Sequence, residues 1–412
     1  MPRAGTAWHL ITGEYPPVHG GVADYTYLVA GGLARAGVGS VCVWTGASRS
    51  GEPTPEQPGV VVRRDAGRWS RSDLARLDAT LDESPGPRRL LVQYVPQAFG
   101  YRGLNLALPR WLARRRRAGD QVWAMFHEAY VPFRLADRPT WWGLSVGQQL
   151  MARTLLAGCE RAFVSMQALI RRLRRLAPRA VSIDWVPVPS SVPVCDDPPA
   201  VAALRRVLAP SGEVIVGCFG TFGATQRPLL ARALPPLLAA RGRVGLLMGR
   251  NGPQFARELE TAHPRLAGRL RATGGLDTIA LSHHLLACDV MVQPYDAGVV
   301  AKRTSLMACL AHGRAVATHL GRDSEPFWAE TGAVALGYDD GAGLVDAAEA
   351  LIVDPAARAR LGRAAQELYD RRFALACTIQ AFTRATCDQD GASEPTSVTS
   401  RAAPGSFATN SS

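Results

Sequence analysis

Lysine is almost missing from this sequence of 412 residues: 46 of the 47 basic residues are arginine, and the single lysine is Lys302. No apolar run approaches the roughly 18 residues that a transmembrane helix needs. The eight cysteines form no CxxC pair, which argues against a zinc knuckle or a disulfide framework and fits a reducing cytoplasm. The first twelve residues hold one arginine and a short apolar stretch, too little for a signal peptide. We therefore expect a cytoplasmic protein without a structural metal.

The arginines are distributed unevenly along the chain. Residues 1–190 carry 25 arginines against 14 acidic residues, a net charge of +11, whereas residues 191–412 have a net charge of +1. A charge excess confined to one half predicts an anionic surface or partner for that half.

Two arginine-rich segments contribute to this excess. Residues 114–117 are four consecutive arginines, and the segment 168–176 places Leu169, Leu173 and Leu176 on one stripe of a predicted helix. Such a helix either lies on an anionic membrane surface or packs its leucines on a sheet with its arginines in water. Both interpretations stay open, and the charge of the first half favours peripheral contact with the inner face of a membrane. Without interleaved stacking aromatics, no nucleic acid is predicted as a partner.

Short apolar runs alternate with helical patterns through the first half. The predicted strands are Trp8–Thr12, Val41–Trp44, Val60–Arg63, Leu90–Tyr94, Val122–Phe126 and Ala162–Ser165. Apolar residues at helical spacing lie between them, near 22–36, 71–82, 104–117, 141–158 and 167–176. Alternation of apolar strands with helices predicts a parallel sheet that is covered on both faces.

The same alternation starts again after a proline-rich, non-periodic segment at 186–199. The sequence therefore predicts an α/β protein of two tandem Rossmann-like, doubly wound domains facing a cleft. The predicted units are a first domain over 1–190, a second domain over 191–355, C-terminal helices over 356–386 and a disordered tail over 387–412.

A glycine pair follows the first predicted strand. The loop ends in Gly20 and Gly21 directly before a predicted helix, where bare backbone N–H groups and the helix dipole favour an anion. A structural turn, which glycine also permits, explains the same residues equally well. The loop lacks the GxGxxG fingerprint, so a nicotinamide or flavin cofactor loses its main support.

The second half has a comparable segment at 302–313. Lys302 and Arg303 stand immediately before a predicted helix, which Thr304 or Ser305 is expected to cap and Gly313 to end. Two cations at a helix N-terminus fit a phosphate group that develops negative charge. The alternative is a solvated basic turn before a packed helix.

These motifs, with others in the same order, resemble family 4 glycosyltransferases of the GT-B fold. The resemblance covers roughly residues 8–380. It depends on PPxxGG at the first strand–helix junction, and further on the segments Gln93–Gly100, Phe126–Glu128, Gly217–Gly223 and Lys302–Ser305 with Gly313. In that family the glycines approach the donor diphosphate or the transferred sugar, in a cleft between two Rossmann-like domains.

The resemblance implies roles for individual residues. His127 directly follows the predicted strand Val122–Phe126 and would contact the transferred sugar. For Glu128 the sequence itself leaves two interpretations open: it orients His127 or a substrate hydroxyl, or it is a charge on a loop. Lys302 and Arg303 would stabilise the leaving diphosphate without a metal. The resemblance also implies transfer with retention of configuration.

The sequence departs from the family pattern in one respect. The family typically has two glutamates eight positions apart before the glycine that ends this helix, but here Val300 and Ala308 occupy those places. Asp296 is the nearest carboxylate and is the candidate for the work of the first glutamate. The family's Arg/Lys pair after the first strand of the second domain is incomplete, and only Arg227 is assigned there.

The sequence thus predicts a hexosyltransferase-type enzyme. It would move a sugar from a nucleoside-diphosphate sugar to a glycan, lipid-linked or small-molecule acceptor, with no further cofactor. The alternatives are a GT-B chain that binds sugar or lipid without catalysis, a basic peripheral membrane module, and epimerisation of a nucleotide sugar on the same architecture.

Overall fold

The computed structural model of the protein describes residues 6–18, 20–47, 53–83, 86–132 and 139–391. Within these ranges, the first half forms a seven-stranded sheet with strand order β3-β2-β1-β4-β5-β6-β7, and every adjacent pair is parallel. The strands are β1 (Ala7–Thr12), β2 (Val41–Trp44), β3 (Val60–Arg63), β4 (Arg88–Tyr94), β5 (Gln121–Phe126), β6 (Arg161–Val164) and β7 (Ser182–Trp185). The helices are α1 (Gly21–Arg35), α2 (Arg71–Asp82), α3 (Ala107–Arg117), α4 (Pro139–Gly158) and α5 (Ala168–Arg174).

The second half forms a six-stranded parallel sheet with strand order β10-β9-β8-β11-β12-β13. Its strands are β8 (Val214–Phe219), β9 (Arg243–Met248), β10 (Leu270–Gly274), β11 (Val290–Val292), β12 (Ala315–His319) and β13 (Ala335–Gly337). Its helices are α6 (Pro198–Leu208), α7 (Arg227–Leu237), α8 (Gly252–Ala262), α9 (Thr278–Ala287), α10 (Thr304–Ala311), α11 (Phe327–Glu330), α12 (Ala342–Val353), α13 (Pro355–Arg372) and α14 (Leu375–Gly391).

Both sheets are buried on both faces, which confirms the predicted fold class. In β4, every residue after Arg88 is buried, and side chains from its two faces enter two separate apolar cores. Leu90 and Val92 lie in one core with α2, α3 and α4, whereas Leu91 lies in the other with α1. This alternation follows from the two-residue period of a strand. The near-continuous apolar runs of the sequence therefore mark strands covered by helices on both sides.

Helix α6 begins inside the segment that the sequence predicted to be a linker. Asp197 caps it by accepting a hydrogen bond from the backbone N–H of Ala200, and Pro198 stands at its first position. Proline is compatible with the first turn of a helix because the N–H groups there have no intrahelical partner. The proline-rich composition therefore concealed a helix start.

The two C-terminal helices pack on different domains. Helix α13 contacts α10 and β12 of the second sheet, whereas α14 crosses back and contacts α1 of the first. Ile379 and Phe382 of α14 complete the apolar core around Trp8. Helix α14 extends to Gly391, beyond the predicted start of the tail at 387, and residues 392–412 lie outside the described part of the chain. The predicted domain boundaries themselves stay predictions.

Candidate functional site

The carboxyl ends of the two sheets face a common cavity of about 850 Å³. The first domain contributes residues from the loops after β1, β4, β5 and β6, and the second domain contributes residues from the loops after β8, β9, β10 and β11. Ligands of doubly wound domains bind beyond the carboxyl ends of the strands. The lining residues include Gly20, Gly21, His127, Glu128, Asp296, Lys302, Arg303, Thr304 and Ser305. The fold thus brings nine of the ten predicted site residues to one cavity.

The β1–α1 loop leaves the N-terminus of α1 open to this cavity. Gly20 is the N-cap residue, and no side chain of the described residues caps the helix. A Cβ atom built on Gly21 would meet nothing of the protein within 4 Å, and one built on Gly20 would lie 2.9 Å from a carboxylate oxygen of Glu14. The glycine pair therefore keeps space for a ligand beside unpaired backbone N–H groups.

His127 directly follows β5 and is held on two sides. Its Nε2 atom lies 2.8 Å from Oε1 of Gln93, and its ring meets the edge of the Tyr25 ring at a centroid distance of 4.8 Å. Burial, together with the positive charge of Lys302, lowers the pKa of His127 to about 3. The imidazole is therefore neutral near pH 7. With the Gln93 amide in this orientation, Nε2 carries the proton and Nδ1 is the acceptor.

Two carboxylates lie beside His127 on the first-domain wall. Glu128 follows it in the chain and is exposed, and Glu14 is half-buried in the β1–α1 loop. Burial raises the pKa of Glu14, and the negative charge of Glu128 adds to this rise. Sequence analysis missed Glu14, although its position two residues after a strand end, in the loop of the glycine pair, is a usable signal.

Lys302 projects from the second-domain wall and is half-buried. Burial lowers its pKa, the nearby carboxylate of Glu128 raises it, and the guanidinium of Arg303 lowers it. The side chains of the described residues give its ammonium group no hydrogen bond or ion pair in the structure. A cation that is desolvated and lacks a fixed counter-ion is suited to a ligand's negative charge.

A buried carboxylate fixes the loop that carries Lys302. The backbone N–H of Ala301 donates to Oε2 of Glu325 at 3.1 Å, and Nε1 of Trp328 donates to the same atom at 2.8 Å. Burial raises the pKa of Glu325, and these hydrogen bonds oppose the rise. Sequence analysis missed Glu325 because its partner lies 24 residues earlier in the chain.

Helix α10 starts at the cavity without the predicted side-chain cap. The N-cap residue is Arg303, so Thr304 and Ser305 are the first two helical residues. The hydroxyl of Ser305 pairs instead with the hydroxyl of Tyr295 at 3.1 Å. The prediction that Thr304 or Ser305 caps this helix is wrong, because the helix begins one residue too early for either to occupy the N-cap. Among the residues that the structure describes, no side chain at the cap accepts from the first N–H groups of α10.

Arg303 and Asp296 form an ion pair at the mouth of the cavity, with Nη2 3.0 Å from Oδ1. The guanidinium also lies over the ring of Tyr295, 5.0 Å from its centroid. Val300 and Ala308, at the places of the family's glutamates, are both buried. Asp296 is thus a carboxylate at the mouth of this wall, and Arg303 already occupies one of its oxygens.

Arg227 does not line the cavity. Its Nη1 atom lies 2.9 and 3.0 Å from the two carboxylate oxygens of Glu258, and its Nε donates to the carbonyl of Phe222 at 2.7 Å. Arg250, which follows β9, lines the cavity instead, and sequence analysis missed it. The predicted contact of Arg227 with the diphosphate therefore gains no support from this geometry.

Glycine allows the loops of the second domain to approach one another closely. Gly249 has a φ of 143°, and a Cβ atom built there would overlap the carbonyl oxygen of Gly220. Gly249 also forms a bridge with Gly274. The loops after β8, β9 and β10 are thus joined backbone to backbone at the edge of the cavity.

A smaller cavity of about 280 Å³ adjoins the first and shares five residues with it. The shared residues are His127, Glu128, Asp296, Lys302 and Arg303. Its remaining wall combines apolar side chains with Arg172, Arg322 and Asp323. Arg172 of the first domain and Asp323 of the second form an ion pair at 3.3 Å across it.

The basic helix α5 buries its apolar stripe. Leu169 and Leu173 lie in the core of the first domain, and Leu176 packs partly against it. The structure therefore favours the second of the two interpretations of this segment. Within the described residues, no helix is long and apolar enough to cross a membrane. The same residues contain no group of three or more His, Cys, Asp or Glu side chains arranged to hold a metal ion.

Comparisons with known proteins add the identity of the fold. No family model and no curated protein sequence matches the chain. Sucrose-phosphate synthase from Thermosynechococcus elongatus superimposes with a TM-score of 0.70 at 17% identity, over 94% of this chain and all of the other. A glycosyltransferase from Rickettsia africae gives 0.68 at 12% identity, over 93% and 98%. Anabaena HepE in complex with UDP and glucose gives 0.65 at 14% identity, over 93% and 100%. At such low identity the likeness shows the fold alone, and that fold is GT-B.

Proposed function

We propose that the protein is a glycosyltransferase that takes a sugar from a nucleoside-diphosphate sugar. The observation that carries the proposal is the cavity between the two sheets, where a neutral histidine on one wall lies near a lysine and an arginine on the other. Structural neighbours on the same fold that contain UDP and glucose support a donor of this class.

The second domain holds the nucleotide in this proposal. Lys302, Arg303 and the N-terminus of α10 supply positive charge for the diphosphate, and Arg250 adds a further cation at the same edge. The glycine-rich ends of β8, β9 and β10 offer backbone close to the ligand. An incomplete glutamate pair leaves recognition of the ribose to other groups.

The first domain presents the sugar for transfer. Gly20 and Gly21 leave room beside the N-terminus of α1, and the Nδ1 acceptor of neutral His127 receives a hydrogen bond from a sugar hydroxyl. The bond between the anomeric carbon and the diphosphate oxygen breaks, and its electron pair stays with the diphosphate. Cations and helix dipoles stabilise that charge, so the proposal includes no metal. The acceptor hydroxyl forms the new bond and loses its proton to the released diphosphate.

Transfer of a hexose with retention is the finer form of this proposal. Its support is the resemblance of the sequence motifs. The smaller cavity, which opens at His127 and Lys302, is the proposed place of a glycan or lipid-linked acceptor. The cytoplasmic location stays a prediction.

Thermal unfolding against a panel of nucleoside diphosphates and their sugars tests the donor site. A ligand present at a hundred times its dissociation constant stabilises the native state by about 2.7 kcal/mol. We expect one base to raise the melting temperature, and we expect the double variant Lys302→Ala/Arg303→Ala to lose that rise. If no nucleotide stabilises the protein, the donor-site assignment is wrong.

Product analysis separates catalysis from binding alone. The buried Val300 and Ala308, where the family has glutamates, favour a second candidate: a GT-B chain that binds a nucleotide sugar without transferring it. Release of free nucleoside diphosphate from the stabilising sugar donor, lost in Lys302→Ala, supports the enzyme. Binding without release, at all acceptors tried, supports the second candidate.

A further inference from the structure

Helix α4 exposes an apolar stripe to solvent. In its 20 residues, Arg153 is the sole charged side chain. Val146 is 61% exposed and Leu150 is 48% exposed, and with Arg153 they follow one another at spacings of four and three residues. Surface helices usually place charged and polar residues on such a face. This face therefore differs from that of an ordinary surface helix.

Two apolar side chains from the preceding loop extend the stripe. Leu104 lies against α4, because a Cβ atom built on Gly147 would be 2.5 Å from its Cδ2. The turn that carries Tyr101 is held to the same helix by Gln148, whose Nε2 donates to the carbonyl of Gly103. Leu104 and Tyr101 are both exposed. The apolar stripe is therefore a contiguous patch on two chain segments.

The two chain segments that form this patch are basic and contain no acidic residue of their own. Residues 96–119 and 139–159 together contain seven arginines and no aspartate or glutamate. Arg102, Arg110 and Arg153 are exposed, and the described part of the chain gives none of their guanidinium groups a hydrogen bond or an ion pair. A surface of exposed aliphatic, aromatic and unpaired basic side chains complements the interface of an anionic bilayer.

The buried face of α4 contacts the wall of the smaller cavity. Val131 lines that cavity, and α4 holds it through two hydrogen bonds. Its N–H donates to Oε1 of Gln148 at 2.9 Å, and its carbonyl accepts from the hydroxyl of Ser145 at 2.7 Å. Helix α4 therefore carries the patch on its exposed face and supports a wall of the proposed acceptor cavity with its buried face.

We propose that the α3–α4 surface docks the protein on an anionic lipid bilayer. This surface consists of Tyr101, Leu104, Val146 and Leu150 with Arg102, Arg110 and Arg153. It replaces α5 as the membrane contact, because α5 buries Leu169 and Leu173 in the core and packs Ile170 partly against it. A bilayer fits better than a protein groove because the arginines are unpaired and spread around an apolar patch. The docking does not depend on the proposed transferase activity.

Co-sedimentation of the full chain with lipid vesicles tests this inference. We expect binding to vesicles of equal parts phosphatidylcholine and phosphatidylglycerol, and little binding to phosphatidylcholine alone. The double variant Val146→Asp/Leu150→Asp should bind at least about tenfold more weakly, because it places charge on the inserted side chains. Each of Arg102→Gln, Arg110→Gln and Arg153→Gln should weaken binding about fivefold at low salt.

Val207→Asp is the matched control, because Val207 is 74% exposed on α6 of the second domain. It should bind vesicles as the unchanged protein does. Melting temperatures of all variants report whether the fold is retained, and the arginine variants keep the test valid if the double aspartate variant does not fold. Equal binding to both vesicle types, or binding that neither set of variants weakens, overturns the proposal. Absence of vesicle binding, with a dimer in light scattering that Val146→Asp dissociates, would assign the surface to a second copy of the chain.

Discussion

The two walls of the large cavity differ in charge. The first-domain wall holds the carboxylates of Glu14 and Glu128 beside a neutral His127, whereas the second-domain wall holds Lys302 and Arg303 at the start of a helix. This is the reverse of the net charges of the two halves, since the first half carries almost the whole positive excess. Net charge of a domain therefore does not predict the polarity of its site.

The difference indicates how a charged donor would be oriented. A diphosphate is repelled by carboxylates and attracted by cations, so in the proposed complex it would lie against the second domain and the uncharged sugar would point toward the first. The excess arginines of the first half lie elsewhere: Arg115 is buried among Asp78, Asp82 and Asp120, and others lie on the α3–α4 surface.

Removal of Lys302 has the largest expected effect on the charge difference between the two walls of the cavity. We expect Lys302→Ala to lower kcat/KM for the nucleotide sugar selected in the thermal panel by about 10²–10³-fold, because it removes charge stabilisation at the leaving group. Arg227→Ala is the matched variant in the same domain, since Glu258 and not the cavity engages its guanidinium. It should stay within about threefold of the unchanged protein. Steady-state kinetics of Lys302→Ala and Arg227→Ala measure this difference. Equal losses of kcat/KM in the two variants would place the diphosphate at α7.

Substitutions of one glycine from each wall should differ in their effect on stability, and this difference is of intermediate size. Gly249→Ala should destabilise the fold by about 2–4 kcal/mol, because alanine at a φ of 143° is strained and its Cβ overlaps Gly220. Gly21→Ala should leave the melting temperature unchanged or slightly raised, since alanine favours a helix and meets no protein atom within 4 Å. It should nevertheless weaken the nucleotide-sugar stabilisation. If Gly21→Ala lowers the melting temperature while the stabilisation by the nucleotide sugar is unchanged, the glycine pair is a structural turn.

The pH dependence of stability gives the smallest expected effect and concerns the first-domain wall. The pKa of His127 is about 3 in the folded protein and about 6.5 in the unfolded chain. Between these values the unfolded chain binds a proton that the folded one excludes, so stability falls as the pH falls, by up to about 1.4 kcal/mol per pH unit. Above pH 6.5 the contribution is constant.

Urea unfolding from about pH 7 to about pH 5 measures this dependence. His127→Gln should show a shallower loss of stability with acid than the unchanged protein, and His263→Gln, at an exposed position, should show the same loss. Glu14, whose pKa is raised, acts in the opposite direction in all three proteins and cancels in the comparison. An unchanged slope in His127→Gln would mean that the folded protein accepts the proton.

The sequence predicts the architecture well where local patterns decide it. Apolar runs identified the six strands from β1 to β6. A strand buried on both faces, such as β4, must be apolar throughout, whereas the edge strand β3 was found from its three consecutive valines although one of its faces is exposed. Strand β7, Ser182–Trp185, was not predicted, because it lies at the sheet edge and mixes polar with apolar residues. Helix α6 was not predicted, because the prolines at its start were interpreted as part of a linker.

Site residues were predictable where chain position alone places them. His127 and Lys302 directly follow a strand or precede a helix, and the fold brings such positions to the cavity. Arg227 also begins a helix, but its side chain turns to Glu258, 31 residues later. Glu325 supports the Lys302 loop through a contact that no local pattern contains. Side-chain direction and long-range pairing are thus what the sequence does not reveal.

Helix α14 has a consequence for the order in which the chain folds during synthesis. The first-domain core around Trp8 includes Ile379 and Phe382, and Ile379 lies so close to α1 that a Cβ atom on Gly32 would be 2.6 Å from it. Domains generally fold from the N-terminus as the ribosome releases them. Here the domain made first cannot close its core until the helix made last has emerged, so the nascent first domain exposes an apolar face throughout translation of the second.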